Sequence, residues 1–167
     1  MTQRRRSIRT ALTALVVATL ITGCGVVRSQ ALLATLPTSA AGITFDASQV
    51  IDNSFNMGYA GDAVLAALGK RREDATMVNR YSVEGDAEIG ALVVNGVAGD
   101  LLLDTFVRTW DDPAAIARTE ATIDNRDVWT IETRDGHFTM AYQSGATIYW
   151  AIGSDRALTE QLVAAMP

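Results

Sequence analysis

The strongest constraint on the fold of this chain is a run of three seven-residue segments near its C-terminal end. Residues 128–134, 137–143 and 146–152 are separated by Asp135-Gly136 and by Ser144-Gly145. Both dipeptides suit the two-residue turns of β-hairpins, because glycine readily adopts the positive φ that these turns require. The pattern therefore predicts a three-stranded antiparallel meander.

Counting across the two predicted turns assigns each side chain to one face of the meander. The first face is large and apolar, and we expect helices to bury it; it carries Trp129, Ile131, Phe138, Met140, Tyr142 and Tyr149. The second face is mixed and carries Val128, His137, Thr139, Ala141, Ile148, Trp150 and Ile152. We expect this mixed face to be partly exposed or covered by a smaller element. Its candidate binding residues are His137, Thr139, Ile148 and Trp150.

Further strands are predicted upstream of the meander. Residues 76–83 and 87–94 flank Glu84-Gly85-Asp86 and predict a second hairpin. Residues 43–46 alternate like a short strand. The segment 114–125 is polar and has no clear periodicity, so we predict a loop with a helical turn there.

Capping and breaking residues predict three helices. The first begins after Asp62 and ends at Gly69, and the second begins at Gly99-Asp100 and is ended by Pro113. Asp155 caps the third helix, near the end of the chain. The predicted fold class is α+β: an antiparallel sheet of about five strands, including the C-terminal three-stranded meander, packed with about three helices mainly on one face.

The first residues of the chain have the organisation of an export signal. Four arginines lie within the first nine residues, and no acidic residue precedes Cys24. The apolar run that follows, residues 11–21, is about half of the ~20 residues that a helix needs to span a bilayer. A basic region followed by a short apolar run is typical of a secretory signal peptide.

The apolar run ends in Leu20-Ile21-Thr22-Gly23-Cys24, which resembles the lipobox of bacterial lipoproteins. The resemblance implies that diacylglycerol is attached to the Cys24 thiol and that the chain is cleaved between Gly23 and Cys24. The chain would then be anchored by lipid at the outer face of the cytoplasmic membrane or in the cell envelope. The alternative is an ordinary secretory signal with an incidental cysteine. For the export route, Arg5-Arg6 resembles a twin-arginine signal, but the aromatic and second apolar positions of that motif are missing, which favours general secretion. The expected organisation is a signal peptide at 1–23, a lipidated cysteine and tether at 24–42, and a single α+β domain at 43–167.

The C-terminal segment also resembles a known group of proteins. Tyr149–Gly153, followed by Asp155–Pro167, is similar to the closing strand and helix of uncharacterised exported lipoprotein domains of actinobacterial or Chloroflexi type. The resemblance is structural and implies no active site.

Composition limits the chemistry that the chain can perform. Cys24 is the only cysteine in 167 residues, which excludes an intramolecular disulfide and a Cys-rich metal site. Without residues 1–23, the chain has 10 Lys and Arg against 19 Asp and Glu, a net charge of −9. Such a charge opposes binding to a phosphate backbone, and no basic run is interleaved with aromatic residues, so we expect no nucleic-acid partner.

We find no catalytic, cofactor or metal signature in the sequence. His137 is the only histidine, and its predicted neighbours, Arg134 and Ile152, do not orient an imidazole for catalysis. No catalytic-triad, zinc-helix, phosphate-loop or EF-hand motif is present. An alternative calcium site would need six or more oxygens to converge, and the acids available for it are Glu84, Asp86, Glu88, Asp111 and Asp112.

The sequence therefore predicts a non-enzymatic binding domain, anchored to a membrane through Cys24, that binds an envelope protein through the mixed face. Two alternatives remain open. A carrier or receptor of a small apolar ligand, such as a lipid, would need an apolar cavity between sheet and helices. A small envelope hydrolase would need acids lining a concave pocket. Trp129, Tyr149 and Trp150 could also form an aromatic platform for a glycan or peptide, or could lie in the core.

Overall fold

The computed structural model describes residues 24–46, 58–109 and 115–167, which form eight strands and four α-helices. The helices are α1 (Cys24–Leu33), α2 (Gly58–Ala67), α3 (Gly99–Thr109) and α4 (Arg156–Ala165), and a 3₁₀ turn lies at Arg72–Asp74. The strands are β1 (Ser39–Ala40), β2 (Ile43–Asp46), β3 (Ala75–Ser82), β4 (Glu88–Val94), β5 (Ala115–Ile123), β6 (Arg126–Thr133), β7 (Phe138–Ser144) and β8 (Thr147–Gly153).

All eight strands belong to one antiparallel sheet with the order β1-β2-β3-β4-β8-β7-β6-β5. Within β1 to β4, each strand pairs with the next one along the chain, and the same holds within β5 to β8. The pairing of β4 with β8 joins these two halves at the centre of the sheet. The edges are therefore the two-residue strand β1 and the nine-residue strand β5.

Helices cover both faces of the sheet and produce two separate cores. On the α1/α4 face, Leu162 and Val163 of α4 pack with apolar side chains of the central strands, including Val78, Ile89, Met140 and Tyr142. Arg80 Nη2 donates to the Leu33 carbonyl at 3.3 Å, which holds the end of α1 against β3. On the α2/α3 face, the second core contains Val64, Leu92, Leu102, Phe106, Ile148 and Trp150.

The structure corrects the predicted fold class, although the broad α+β class remains. The prediction of about five strands with helices mainly on one face is wrong, because the sheet has eight strands and helices lie on both faces. The prediction missed β5, in which Arg118, Thr119 and Glu120 are exposed, because an edge strand need not alternate clearly between apolar and polar residues. The segment 24–42, for which the sequence predicts a tether, contains α1 and β1.

The turn between β6 and β7 is one residue longer than predicted. Thr133 N donates to the His137 carbonyl at 3.0 Å, so the turn contains three residues and ends at Gly136, with φ of 86°. Trp129 consequently pairs with Ala141 and lies on the α2/α3 face, while Val128 lies on the opposite face. A shift of one residue exchanges the two faces of a strand. The predicted face assignment is therefore wrong for β6, whereas it is confirmed for β7 and β8.

Other elements agree with the sequence more closely. The hairpin β3–β4 is confirmed, and so is the third predicted helix, whose Asp155 cap accepts a hydrogen bond from Leu158 N at 2.9 Å. Helix α2 begins at Gly58, so Asp62 lies inside it rather than at its cap. Asp62 forms an ion pair with Arg72 at 2.6 Å instead.

Candidate functional site

The structure does not place the predicted binding residues on one open surface. Thr139, Ile148 and Trp150 are only 3%, 0% and 3% exposed. The Trp150 indole is covered by α3, where the ring of Phe106 stacks on it with a centroid distance of 5.8 Å. His137 alone is exposed, directly after the turn between β6 and β7. Of the predicted lipidation and cleavage residues, Cys24 is the first residue of α1, and Gly23 lies outside the described residues.

The open part of the α2/α3 face lies over the β5–β6 hairpin, because α3 packs on β7 and β8. The start of α3 lies close against the β7–β8 turn, since a Cβ on Gly99 would be 2.1 Å from the Gly145 carbonyl oxygen. Two clefts, of about 420 and 270 Å³, border the uncovered strands and share Leu103, Asp127 and Trp129. We call this feature the Trp129 groove; its walls are formed chiefly by Asp100, Leu103, Asp104, Asp127, Trp129 and Gln143.

An aromatic floor and an acidic rim characterise the Trp129 groove. Trp129 is half-buried, since α3 reaches Leu103 beside it but does not cover the indole. Asp127 is exposed on β6, and Asp100 and Asp104 are exposed on α3. The rim is therefore predominantly negative and can attract a cationic group, while the indole face can bind an apolar or cationic one.

Basic residues near the groove offset part of its negative charge. Arg126 contributes to the rim, but its Nη1 donates to the Val163 carbonyl at 3.1 Å and to the Met166 carbonyl at 2.8 Å, at the end of α4 on the opposite face. Arg108 forms an ion pair with Asp104 along the exposed side of α3. The charge of Asp127 is thus the most available for a ligand.

A second polar cluster, the Glu88 cluster, consists of Asn79, Tyr81, Glu88 and Trp150 and lies on the same face over β3, β4 and β8. Asn79 Nδ2 donates to Glu88 Oε1 at 2.6 Å, and Trp150 Nε1 donates to the same oxygen at 3.2 Å. Asn79 Nδ2 also lies 3.3 Å from the Tyr81 hydroxyl. Burial raises the pKa of Glu88, and the hydrogen bonds from Trp150 and Asn79 oppose that shift.

The Glu88 cluster helps to hold the Trp150 indole in one position. The indole lies directly over Gly90, where a Cβ would be 2.1 Å from the ring. The carboxylate fixes the indole nitrogen, and Phe106 then packs on the ring beneath α3. Hydrogen bonds between buried polar groups restrict the side-chain arrangement in this way.

No family model, curated protein or solved structure matches this chain.

Of the five acids considered for a calcium site, the three that the structure describes do not converge. Asp86 accepts a hydrogen bond from Ser82 Oγ at 2.7 Å, and Glu88 belongs to the Glu88 cluster, while Glu84 is exposed in the turn. Asp111 and Asp112 lie outside the described residues. Within residues 24–46, 58–109 and 115–167, no three His, Cys, Asp or Glu side chains are grouped so as to hold a metal ion.

The described helices have at most 11 residues, and none of them is long and apolar enough to cross a membrane.

Sequence reasoning missed the Trp129 groove because it missed β5. The signal for that strand is Asp124-Asn125, which joins β5 to β6 with φ of 51° and 60°. Two consecutive residues of positive φ form the turn of a tight hairpin, and Asp and Asn tolerate this conformation better than most residues.

Proposed function

We propose that this chain is an extracytoplasmic lipoprotein, anchored through Cys24, whose domain is a non-enzymatic binding module. The observation that supports the binding role is the Trp129 groove: an open cleft with a half-buried indole at its floor and carboxylates at its rim. An indole in an exposed cleft is a common anchor in protein–protein recognition.

The proposed partner is a protein segment with both basic and apolar side chains. Basic side chains complement Asp104 and Asp127, and an apolar side chain fits against Trp129. The described clefts are open at the surface, which favours a chain segment over an enclosed lipid. The acids of the groove have no histidine beside them, and a binding role needs none.

The binding proposal is tested by calorimetric titration of the full chain with two peptides of about twelve residues, a length that suits an extended segment. One peptide alternates lysine and leucine, and the other alternates glutamate and leucine. We expect the lysine peptide to bind and the glutamate peptide not to bind. Both Trp129→Ala and the pair Asp104→Asn/Asp127→Asn should weaken binding by about tenfold, which corresponds to about 1.4 kcal/mol.

The matched control for the charge change is Glu73→Gln/Glu84→Gln, because both residues are exposed and lie outside the groove. This variant has the same change in net charge and should bind the lysine peptide as the wild type does. Equal weakening in the control pair would show that net charge alone attracts the peptide and would overturn the groove as the site.

The anchoring proposal rests on the lipobox resemblance at Leu20-Cys24 and is tested separately. Cells that express the chain are grown with an alkyne-bearing fatty acid, and the purified protein is examined for the label by mass spectrometry. We expect the label on the peptide that begins at Cys24, and none in a Cys24→Ala variant. A mature chain that begins elsewhere and has no acyl group would contradict the proposal.

A further inference from the structure

We infer that the β5 edge is an interface between two copies of this chain, which pair antiparallel about Thr119. β5 is the last strand of the sheet, it is nine residues long, and Arg118, Thr119 and Glu120 are exposed. The opposite edge is the two-residue strand β1, which offers little for pairing. The pairing requires no ligand in the Trp129 groove, although Glu120 also lines the smaller of its two clefts.

The sequence of β5 is self-complementary in one register. When Thr119 faces its own copy across a two-fold axis, Arg118 lies opposite Glu120 of the second copy, and Glu120 lies opposite Arg118. Residues directly opposite in an antiparallel pair have Cβ atoms about 4.5–5.5 Å apart on the same face, so both pairs join unlike charges. Both side chains lie on the α2/α3 face, as their register with Ile131 and Trp129 shows.

The neighbouring registers are disfavoured by the same two charges. A shift in one direction places Arg118 opposite its own copy, and a shift in the other direction places Glu120 opposite its own copy. Like charges directly opposite are destabilising. On the α1/α4 face the favoured register places Ala117 opposite Ala121, and both side chains are small enough for close approach of the strands.

Protein edges that avoid pairing are usually short or contain lysine, proline or a bulge. β5 has no lysine or proline, and its irregularity lies at one end, between Ala115 and Ala117. The stretch from Ala117 to Ile123 is regular and pairs continuously with β6. Its outer edge thus presents an uninterrupted row of backbone donors and acceptors to a second copy.

The inference is tested by the oligomeric state of the full chain with Cys24→Ser, which removes both the lipid and the only native thiol. Sedimentation velocity at micromolar concentrations should show a dimer that dissociates on dilution. Glu120→Arg should give a monomer, because Arg118 then faces a second arginine. The exchange Arg118→Glu/Glu120→Arg should restore the dimer, because the unlike pairs return. Glu84→Arg, in the exposed β3–β4 turn, is the control for charge and should remain dimeric.

A cysteine pair reports the register directly. Thr119→Cys should form an intermolecular disulfide on mild oxidation, because opposite Cα atoms in an antiparallel pair are about 4.5–5.5 Å apart and a disulfide spans about 4.4–6.8 Å. Thr122→Cys should not, since its copy lies six residues away along the strands. A wild-type monomer, a Glu120→Arg dimer or a charge exchange that stays monomeric would each overturn the inference. Circular dichroism confirms that each variant is folded.

Discussion

At the scale of single residues, the contact between Gly90 and Trp150 is one of the two closest on the α2/α3 face, together with that between Gly99 and Gly145. A Cβ at position 90 would lie 2.1 Å from the indole, closer than side chains can approach. We therefore expect Gly90→Ala to lower the free energy of unfolding by about 1–3 kcal/mol, as overpacking does. Urea unfolding measures this cost. Trp150→Leu makes room for the methyl group, so Gly90→Ala should cost less in that background; an equal cost in both backgrounds would contradict the contact.

Glu88 should make stability depend on pH. Its pKa in the folded chain is raised above the ordinary value of 4.5, chiefly by burial, so the folded state retains a proton that the unfolded state loses. The stability from this proton is present below pH 4.5 and is lost as pH rises through the folded pKa. We expect Glu88→Gln to remove this loss, so that the variant gains stability relative to the wild type between pH 4.5 and neutrality. Denaturation measures the free energy of unfolding of both proteins at each pH. A difference between them that stays constant across that range would contradict the prediction.

The structure also shows which residue-level features could be read from the sequence. The Asp155 cap was predictable, because a capping carboxylate acts on its own helix within three residues. The position of Trp129 was not, because it depends on whether a turn holds two residues or three. Asp135-Gly136 suits both turn lengths, and only the backbone hydrogen bond from Thr133 to His137 distinguishes them. A pattern that acts locally is thus readable, whereas a register that determines a whole face is not.

At the scale of elements, Arg126 on β6 connects the end of α4 to the sheet through hydrogen bonds. Its Nη1 binds the Val163 and Met166 carbonyls, and its guanidinium lies 5.1 Å from the centroid of the Tyr142 ring. We expect Arg126→Ala to cost about 1–3 kcal/mol, because it removes the guanidinium donor from the Met166 carbonyl and leaves the Val163 carbonyl with only the Met166 amide. Hydrogen exchange should accelerate in the last turn of α4. Arg134→Ala, in an exposed turn, removes the same charge and should leave that exchange unchanged; an acceleration there too would indicate a general charge effect.

At the scale of the whole molecule, the sheet separates two cores, whereas the sequence predicted helices mainly on one face. Apolar residues in α3 and α4 are visible from periodicity, but periodicity does not reveal which face of the sheet each helix covers. Leu102 and Leu162 are fully buried, one on each face. We expect Leu102→Ala and Leu162→Ala each to lower the free energy of unfolding by about 2–5 kcal/mol.

The double variant should then lose the sum of the two single costs, because the two sites do not share contacts. Denaturant titration of both single variants and the double variant measures the coupling. A coupling above about 0.5 kcal/mol would indicate that the two helices share one core.

Helix α1 and the Trp129 groove lie on opposite faces of the sheet. The first residue of α1 is Cys24, Arg28 Nη1 already donates to Asn95 Oδ1 at 3.2 Å, and the helix packs against β3. A lipid on Cys24 would thus be separated from Arg28 by only about one helical turn, or roughly 6 Å. The Trp129 groove lies on the other face, four strands away across β4, β8 and β7, a lateral distance of roughly 19 Å. If the proposed anchor and the proposed binding role both hold, a bilayer and a bound segment would lie on opposite faces of the sheet and could be held at once.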